Sequence, residues 1–304
     1  MNVVRAVVLK LLSTVAFALM GACIRFATQT VPIGEVVFFR GAFAILPVVV
    51  VYAFRGELRS AVRMARPREH VGRGLLSAFA MYLNFTSLAL LPLADATAIS
   101  FTSPLITVVL AVVLLKEKVM AYRWVAMAVG FSGVLIMLAP HLFHGGLTAS
   151  QLMLAGSGMG AAAGLGAALG NAATTIQTRR MTQTETTSAI VFYFSLFCAI
   201  WGLATLPFGW KVPTLSEWPA LVALGVLGGL GHIVLTESYR LAPASVIAPF
   251  DYVAMIWAVI LGYLAFSEVP GVLVLAGAAV VVGANLYVIW RERKAAAPRR
   301  PAGR

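Results

Sequence analysis

The chain is short of charge. Asp, Glu, Lys and Arg supply 11% of its 304 residues and hydrophobic types 61%, too few polar side chains to coat a soluble globule of this size. Cysteine is scarce as well: Cys23 and Cys198 both fall inside apolar segments, so no disulfide framework or thiolate metal site can be assembled, and both read as small buried hydrophobes. A Gly-x-x-x-x-Gly-Lys phosphate loop is missing, which excludes a self-contained ATP-driven pump. The ten-residue alternation of a membrane β-barrel strand is missing too. So is an Ala-x-Ala-like cleavage site after the first apolar run, Val7 to Thr28, which is therefore expected to stay as a helix.

What is present is a series of apolar runs of about 20 residues, the length a helix needs to cross a hydrocarbon core. They predict ten spans: 5–28, 34–54, 71–91, 94–115, 121–142, 152–178, 186–207, 218–241, 245–266 and 271–290. The expected fold is an all-α integral membrane protein, with the lipid bilayer as its first partner.

The net charge of +12 does not indicate a nucleic-acid partner, because the basic residues cluster between spans. With a cytoplasmic amino terminus, 20 of the 23 Lys and Arg fall at inner ends. Only Arg25 and Lys211 lie at outer ends and Arg40 within a span, which by the positive-inside rule places both termini in the cytoplasm of a cell inner membrane. The tail over 292–304, rich in Ala, Pro and Arg, reads as a disordered basic segment.

The stretch Tyr82 to Val119 returns later in the chain. At an offset of 151 without a gap, Ser87 meets Ser238, Leu90 meets Leu241, Pro92 meets Pro243 and Glu117 meets Glu268. The chain is thus read as two five-helix repeats, 1–148 and 149–291. Five is odd, so the second copy enters the membrane in the opposite sense. Such an inverted-topology repeat lets one fold open alternately to each side. It also makes a single chain sufficient, so a functional monomer is expected. Glycines at 156, 160 and 164, at 166 and 170, and at 225 and 229 mark faces where helices can approach closely.

Several motifs then resemble a known family. Glu35-Val-Val-Phe-Phe-Arg40, Pro92 with Ala96, Pro104, Glu117, Ala242-Pro-Ala-Ser245, Pro249-Phe-Asp-Tyr252 and Glu268 are similar to the EamA-type members of the drug/metabolite transporter superfamily, including amino-acid exporters of the YddG type. The resemblance covers nearly the whole chain. It implies a ten-helix transporter in which spans one to four and six to nine enclose a cavity for a small-molecule substrate, an amino acid or similar metabolite, with no cofactor. Small multidrug members carry an acidic residue in the middle of the first span; here Leu11 to Ile24 has none.

An ionisable group inside a span is costly and invites a functional reading. Asp251 lies about 9 Å inside the ninth span, between Phe250 and Tyr252 and without a basic neighbour in its own helix. It is the first candidate for a substrate-amine or proton site, the alternative being a structural partner such as Arg240. Arg40 either faces the cavity and binds a carboxylate or snorkels to the outer surface. Glu237 and Arg240 share a helical face and can pair. His232 either titrates near neutral pH or holds a hydrogen bond in the bundle. Lys10 reads as a snorkelling anchor and Glu35 as a partner for Arg25. Ser100 is the first-repeat counterpart of Asp251. The aromatics Tyr82, Phe85, Phe101, Tyr193, Tyr239, Tyr252 and Trp257 are either packing or cavity lining suited to an apolar side chain and an ammonium group. Trp201, Trp210, Trp218 and Trp290 read as interface anchors.

These features favour a secondary transporter exporting small amphipathic metabolites, aromatic or hydrophobic amino acids foremost, with proton coupling open. Export of cationic drugs or another metabolite, and uptake by the same fold, are the alternatives. An intramembrane enzyme is disfavoured: Asp95 and Asp251 are expected at opposite faces, and His232 has no Gly-x-Ser-Gly partner.

Overall fold

The computed structural model describes residues 3–28, 30–54, 56, 63–90, 99–144, 155–266 and 271–296. Pro92, Asp95 and Glu268 lie outside the described residues, as do the side chains of Arg25 and Phe85. Ten long helices run through the described chain: α1 (Val3–Ala27), α2 (Ile33–Phe54), α3 (Pro67–Leu90), α4 (Ser103–Leu115), α5 (Ala121–His144), α6 (Ala155–Met181), α7 (Thr187–Leu203), α8 (Trp218–Leu241), α9 (Val253–Phe266) and α10 (Val272–Ala296). No strand occurs among the described residues. Three segments, Val3–Ile24, Ile33–Phe54 and Trp218–Leu241, are long and apolar enough to cross a membrane by those criteria alone.

Local chemistry sets the helix ends. Thr186, in an extended conformation, accepts the backbone N–H of Ala189 at 3.2 Å and starts α7. Prolines occupy the first turn of α4 and α8, where no N–H partner is required. At the end of α4, Lys116 takes a left-handed conformation (φ 53°) and stops the helix. The next residue, Glu117, is thereby turned back over the bundle.

Two spans depart from expectation. The fourth and ninth were read as continuous over 94–115 and 245–266, yet α4 begins only at Ser103 and α9 only at Val253. A turn at Phe101 and Thr102 precedes α4. Before α9, a helical turn at Ala244–Ile247 passes into a 3₁₀ segment, Ala248–Tyr252. Pro249 lies at the start of that segment and removes an N–H from the ladder. A second departure is at the carboxyl end, where α10 continues to Ala296 through residues expected in the disordered tail. Arg291, Glu292, Arg293, Lys294 and two alanines are good helix formers, and the Arg291 guanidinium lies 5.1 Å from the Tyr122 ring.

Packing follows a regular scheme. The main contacts are α1 with α8, α3 with α6, α2 with α7, α5 with α10, α2 with α8, α4 with α6, α1 with α9, α3 with α7 and α7 with α8. Small residues permit the closest of these. A Cβ on Gly41 would stand 2.3 Å from the Ala199 nitrogen, and one on Gly229 would stand 2.5 Å from the Ala44 oxygen. Gly164, Gly166 and Gly170 meet α3 or the turn before α4 through Ser87, Ile99, Leu83 and Ala80, so these glycines mark interhelical contacts.

Carboxylates stitch the halves together at loop level. Glu35, buried in α2, accepts the backbone N–H of Lys211 at 3.1 Å, in the connection between α7 and α8. The expected partner, Arg25, has its side chain outside the described residues. Reciprocally, Glu185 before α7 accepts the N–H groups of Ala65 at 3.1 Å and Arg66 at 2.6 Å, in the connection between α2 and α3. Glu117 accepts from both Ala244 and Ser245 at 3.1 Å.

Candidate functional site

A cavity of about 310 Å³ lies between α2, α3, α6, α7 and α8. Its wall combines Arg40 and Arg73 with Ser77, Asn84, Asn171, Thr174, Thr175, Thr178 and Thr236, and with Phe194, Phe197, Trp201, His232 and Tyr239. The polar residues on α3 recur as 73, 77 and 84, and those on α6 as 171, 174, 175 and 178, so each helix turns one polar stripe inward.

The two guanidiniums are positioned by neutral partners. Arg73, 4% exposed, donates through Nε to Thr178 at 2.9 Å and through one terminal nitrogen to the Ile190 carbonyl at 3.2 Å. Arg40 lies 3.2 Å from His232 Nε2 and 3.8 Å from the Cys198 sulfur. Both stand over the ring of Phe194, at 4.5 Å for Arg73 and 5.6 Å for Arg40. Among the described residues, neither arginine has a carboxylate partner and no carboxylate lines the cavity. The hydroxyls of Ser77, Thr174 and Thr236 are buried without a hydrogen-bond partner in the protein. Two uncompensated cations and three unclaimed hydroxyls can receive an anion with several oxygen acceptors.

The other predicted residues are distributed as follows. His232 faces the cavity, edge-on to Phe17 and Phe194, and Tyr239 lines the wall. Asp251 does not appear on that wall: its carboxylate receives Lys10 Nζ in an ion pair. The Lys10 side chain is 3% exposed against 37% for Asp251, so Lys10 is enclosed and does not snorkel. The Tyr239 hydroxyl is hydrogen-bonded to Lys10 and Thr175, while Trp257 donates to Thr14 at 3.0 Å, one turn along α1 from Lys10. The two links bind α1 to the chain on both sides of the start of α9, and the partner of Asp251 is Lys10 rather than Arg240.

Glu237 lies 3.7 Å from Arg240, as their spacing suggested, and also receives the Thr187 hydroxyl. Tyr252 is fully buried with Val108, Met127 and Val281, where it packs and does not line the cavity. Phe101 lies beside it. Ser100, half-buried in the turn before α4, is off the cavity wall. Tyr193 packs edge-on to His70. Tyr82 is 70% exposed on the outer side of α3. Trp201, expected as an interface anchor, lines the cavity. Arg73 was missed because it follows Arg63, Arg66 and Arg68 and was counted with them as a loop charge; its spacing to Ser77 and Asn84 was the available signal.

Comparison with known proteins adds the following. The sequence profile of the EamA-like transporter family matches residues 4–139 and 158–290. The S-adenosylmethionine uptake transporter of Rickettsia bellii is 31% identical, over 86% of this chain and 85% of its own. The pseudopaline exporter of Pseudomonas aeruginosa is 30% identical, over 91% and 93%. The riboflavin transporter of Rhizobium johnstonii is 29% identical, over 93% and 90%. A solved crystal structure superposes with a TM-score of 0.81 at 18% identity, over 95% of this chain and 98% of the other, a likeness of fold alone.

Proposed function

Because the chain belongs to the EamA-like transporter family and is a multi-pass membrane protein, we propose that it is a secondary transporter that exports small carboxylate-bearing metabolites, amino acids foremost, across the inner membrane. The observation that carries this reading is the pair Arg40 and Arg73, facing one cavity without a carboxylate partner among the described residues. An uncompensated buried cation costs several kcal/mol, and a substrate carboxylate removes that cost on binding. S-adenosylmethionine, the substrate named for one group of relatives, carries such a carboxylate beside an ammonium and a sulfonium. Export of cationic drugs is the weaker reading, since no wall carboxylate meets a cation among the described residues.

Alternating access by an inverted repeat is supported by the packing scheme. Exchanging the halves, helix one for six, two for seven and so on, turns the α1–α8 contact into α6–α3, α2–α8 into α7–α3 and α4–α6 into α9–α1. It leaves α2–α7 and α5–α10 as they are. These contacts exchange with one another as a pseudo-two-fold axis would arrange them, whereas the α7–α8 contact has no comparable α2–α3 counterpart among the described residues. Cytoplasmic termini and a monomeric transport unit belong to the same proposal.

The test is a proteoliposome flux assay with labelled amino acids and S-adenosylmethionine, with and without a pH gradient. Saturable flux of at least one carboxylate substrate, lost in Arg73→Met, is the expected result. Flux confined to compounds without a carboxylate, or indifferent to both Arg40→Met and Arg73→Met, overturns the substrate reading.

A further inference from the structure

Beside the cavity lies a larger apolar groove of about 640 Å³, walled by Ile33, Gly34 and Val37 of α2, Leu75, Phe79 and Tyr82 of α3, and Gly202 and Thr205 at the end of α7. Ala78, Met81 and Trp201 belong to both walls, so the two spaces adjoin at these three side chains. Their chemistry differs sharply. The cavity holds both arginines and the unclaimed hydroxyls, whereas the groove is almost wholly hydrocarbon and aromatic. Ile33, Leu75, Phe79 and Tyr82 are 52%, 52%, 59% and 70% exposed, which in a membrane-spanning helix directs the groove toward lipid chains.

We propose that cavity and groove form one site for an anionic amphiphile, its carboxylate held at Arg40 and Arg73 and its apolar tail leaving past Trp201 through the groove into the bilayer. This deepens the transport reading and rests on it. The occupant follows from the shared wall. A tail attached to a bound carboxylate has an apolar exit at Ala78 and Met81, and in the groove it meets an environment equivalent to lipid, so extending the tail adds no buried polar group. The carboxylate cannot follow the tail outward, because the groove offers it no donor comparable to the two guanidiniums. Substrates are therefore selected by one charged end and tolerated over a range of tail lengths.

The experiment uses the full chain in nanodiscs, with binding measured by calorimetry against empty nanodiscs. The probes are N-acetylglycine, N-octanoylglycine and the uncharged N-octanoylglycinamide. The six added methylenes of the octanoyl chain are expected to tighten binding on the order of tenfold or more, and the amide to lose it. Leu75→Trp, which narrows the groove, and Phe79→Ala, which strips its wall, both alter exposed side chains and leave N-acetylglycine affinity as it was. Each is expected to cut the octanoyl advantage to roughly threefold or less. Equal affinity of the two acylglycines in the unaltered protein overturns the portal, as does an octanoyl advantage indifferent to both variants, the result expected if bilayer lipid alone fills the groove. Failure of every carboxylate to bind removes the transport-site reading as well; normal N-acetylglycine binding with no tail advantage removes the portal only.

Discussion

Lys10 and Arg73 are enclosed to nearly the same degree, 2% and 4% exposed, and their surroundings are opposite. Lys10 meets the carboxylate of Asp251 and the hydroxyl of Tyr239, so its charge is answered within the protein and ties α1 to the chain before α9. Among the described residues, Arg73 meets a threonine hydroxyl, a backbone carbonyl and a phenylalanine ring, and no carboxylate. Burial alone therefore does not separate a structural charge from a functional one. The separation lies in whether the protein supplies the counter-charge or leaves it to a ligand.

The comparison breaks most readily at Lys10. Lys10→Met leaves Asp251 without its cation and is expected to lower stability by about 3 kcal/mol, the low end for a broken buried pair because Asp251 keeps some exposure. The readout is chemical denaturation in detergent, and addition of Asp251→Asn should restore most of the loss. If the single and double variants are equally unstable, the pair is not the anchor.

Arg73→Met should act in the reverse way, with carboxylate flux reduced roughly 30- to 150-fold, a loss of about 2–3 kcal/mol of interaction with a charged group, and stability within about 1 kcal/mol of the unaltered chain. Parallel flux and denaturation measurements decide it: a stability loss matching that of Lys10→Met would make Arg73 structural.

Glu117→Gln sharpens the comparison at loop level. The carboxylate serves two backbone amides, and the amide side chain that replaces it is the weaker acceptor, so a cost of about 1–2 kcal/mol is expected. Slower hydrogen exchange at Ala244 and Ser245 in the unaltered protein than in the variant is the check.

The smallest effect concerns Glu217, outside the spans. The Thr30 hydroxyl and the Thr214 N–H both donate to its carboxylate and hold its pKa below the usual value. With the folded pKa depressed, its contribution is complete above the unfolded value of about 4.3 and is lost as pH falls through the folded one. The difference in thermal midpoint between the unaltered protein and Glu217→Gln should be flat at neutral pH and shrink on acidification. A difference that grows in acid would reverse the assigned sign.

The helices themselves were legible because hydropathy and length are local properties. Arg40 and His232 were legible as candidates because a polar group stands out in an apolar run. The Asp251 pairing was not, since Lys10 lies 241 positions away and no periodicity connects them. Arg73 was hidden by neighbours of its own charge. The interruptions before α4 and α9 were marked by Pro104 and Pro249, but a proline in an apolar run fits a kinked helix and a broken one alike. Glu237 with Arg240 needed only helical spacing and was read directly.

The reciprocal grip of Glu35 on Lys211 and of Glu185 on Ala65 and Arg66 bears on how the molecule is made. During synthesis α2 enters the bilayer long before residue 211 exists, so Glu35 waits in the nascent chain without its partner, as does Glu117 for Ala244 and Ser245. The amino-terminal half can be inserted early but is completed only by the half that follows. Ribosome and translocon thus release a bundle whose first carboxylates are settled only after its second half has arrived.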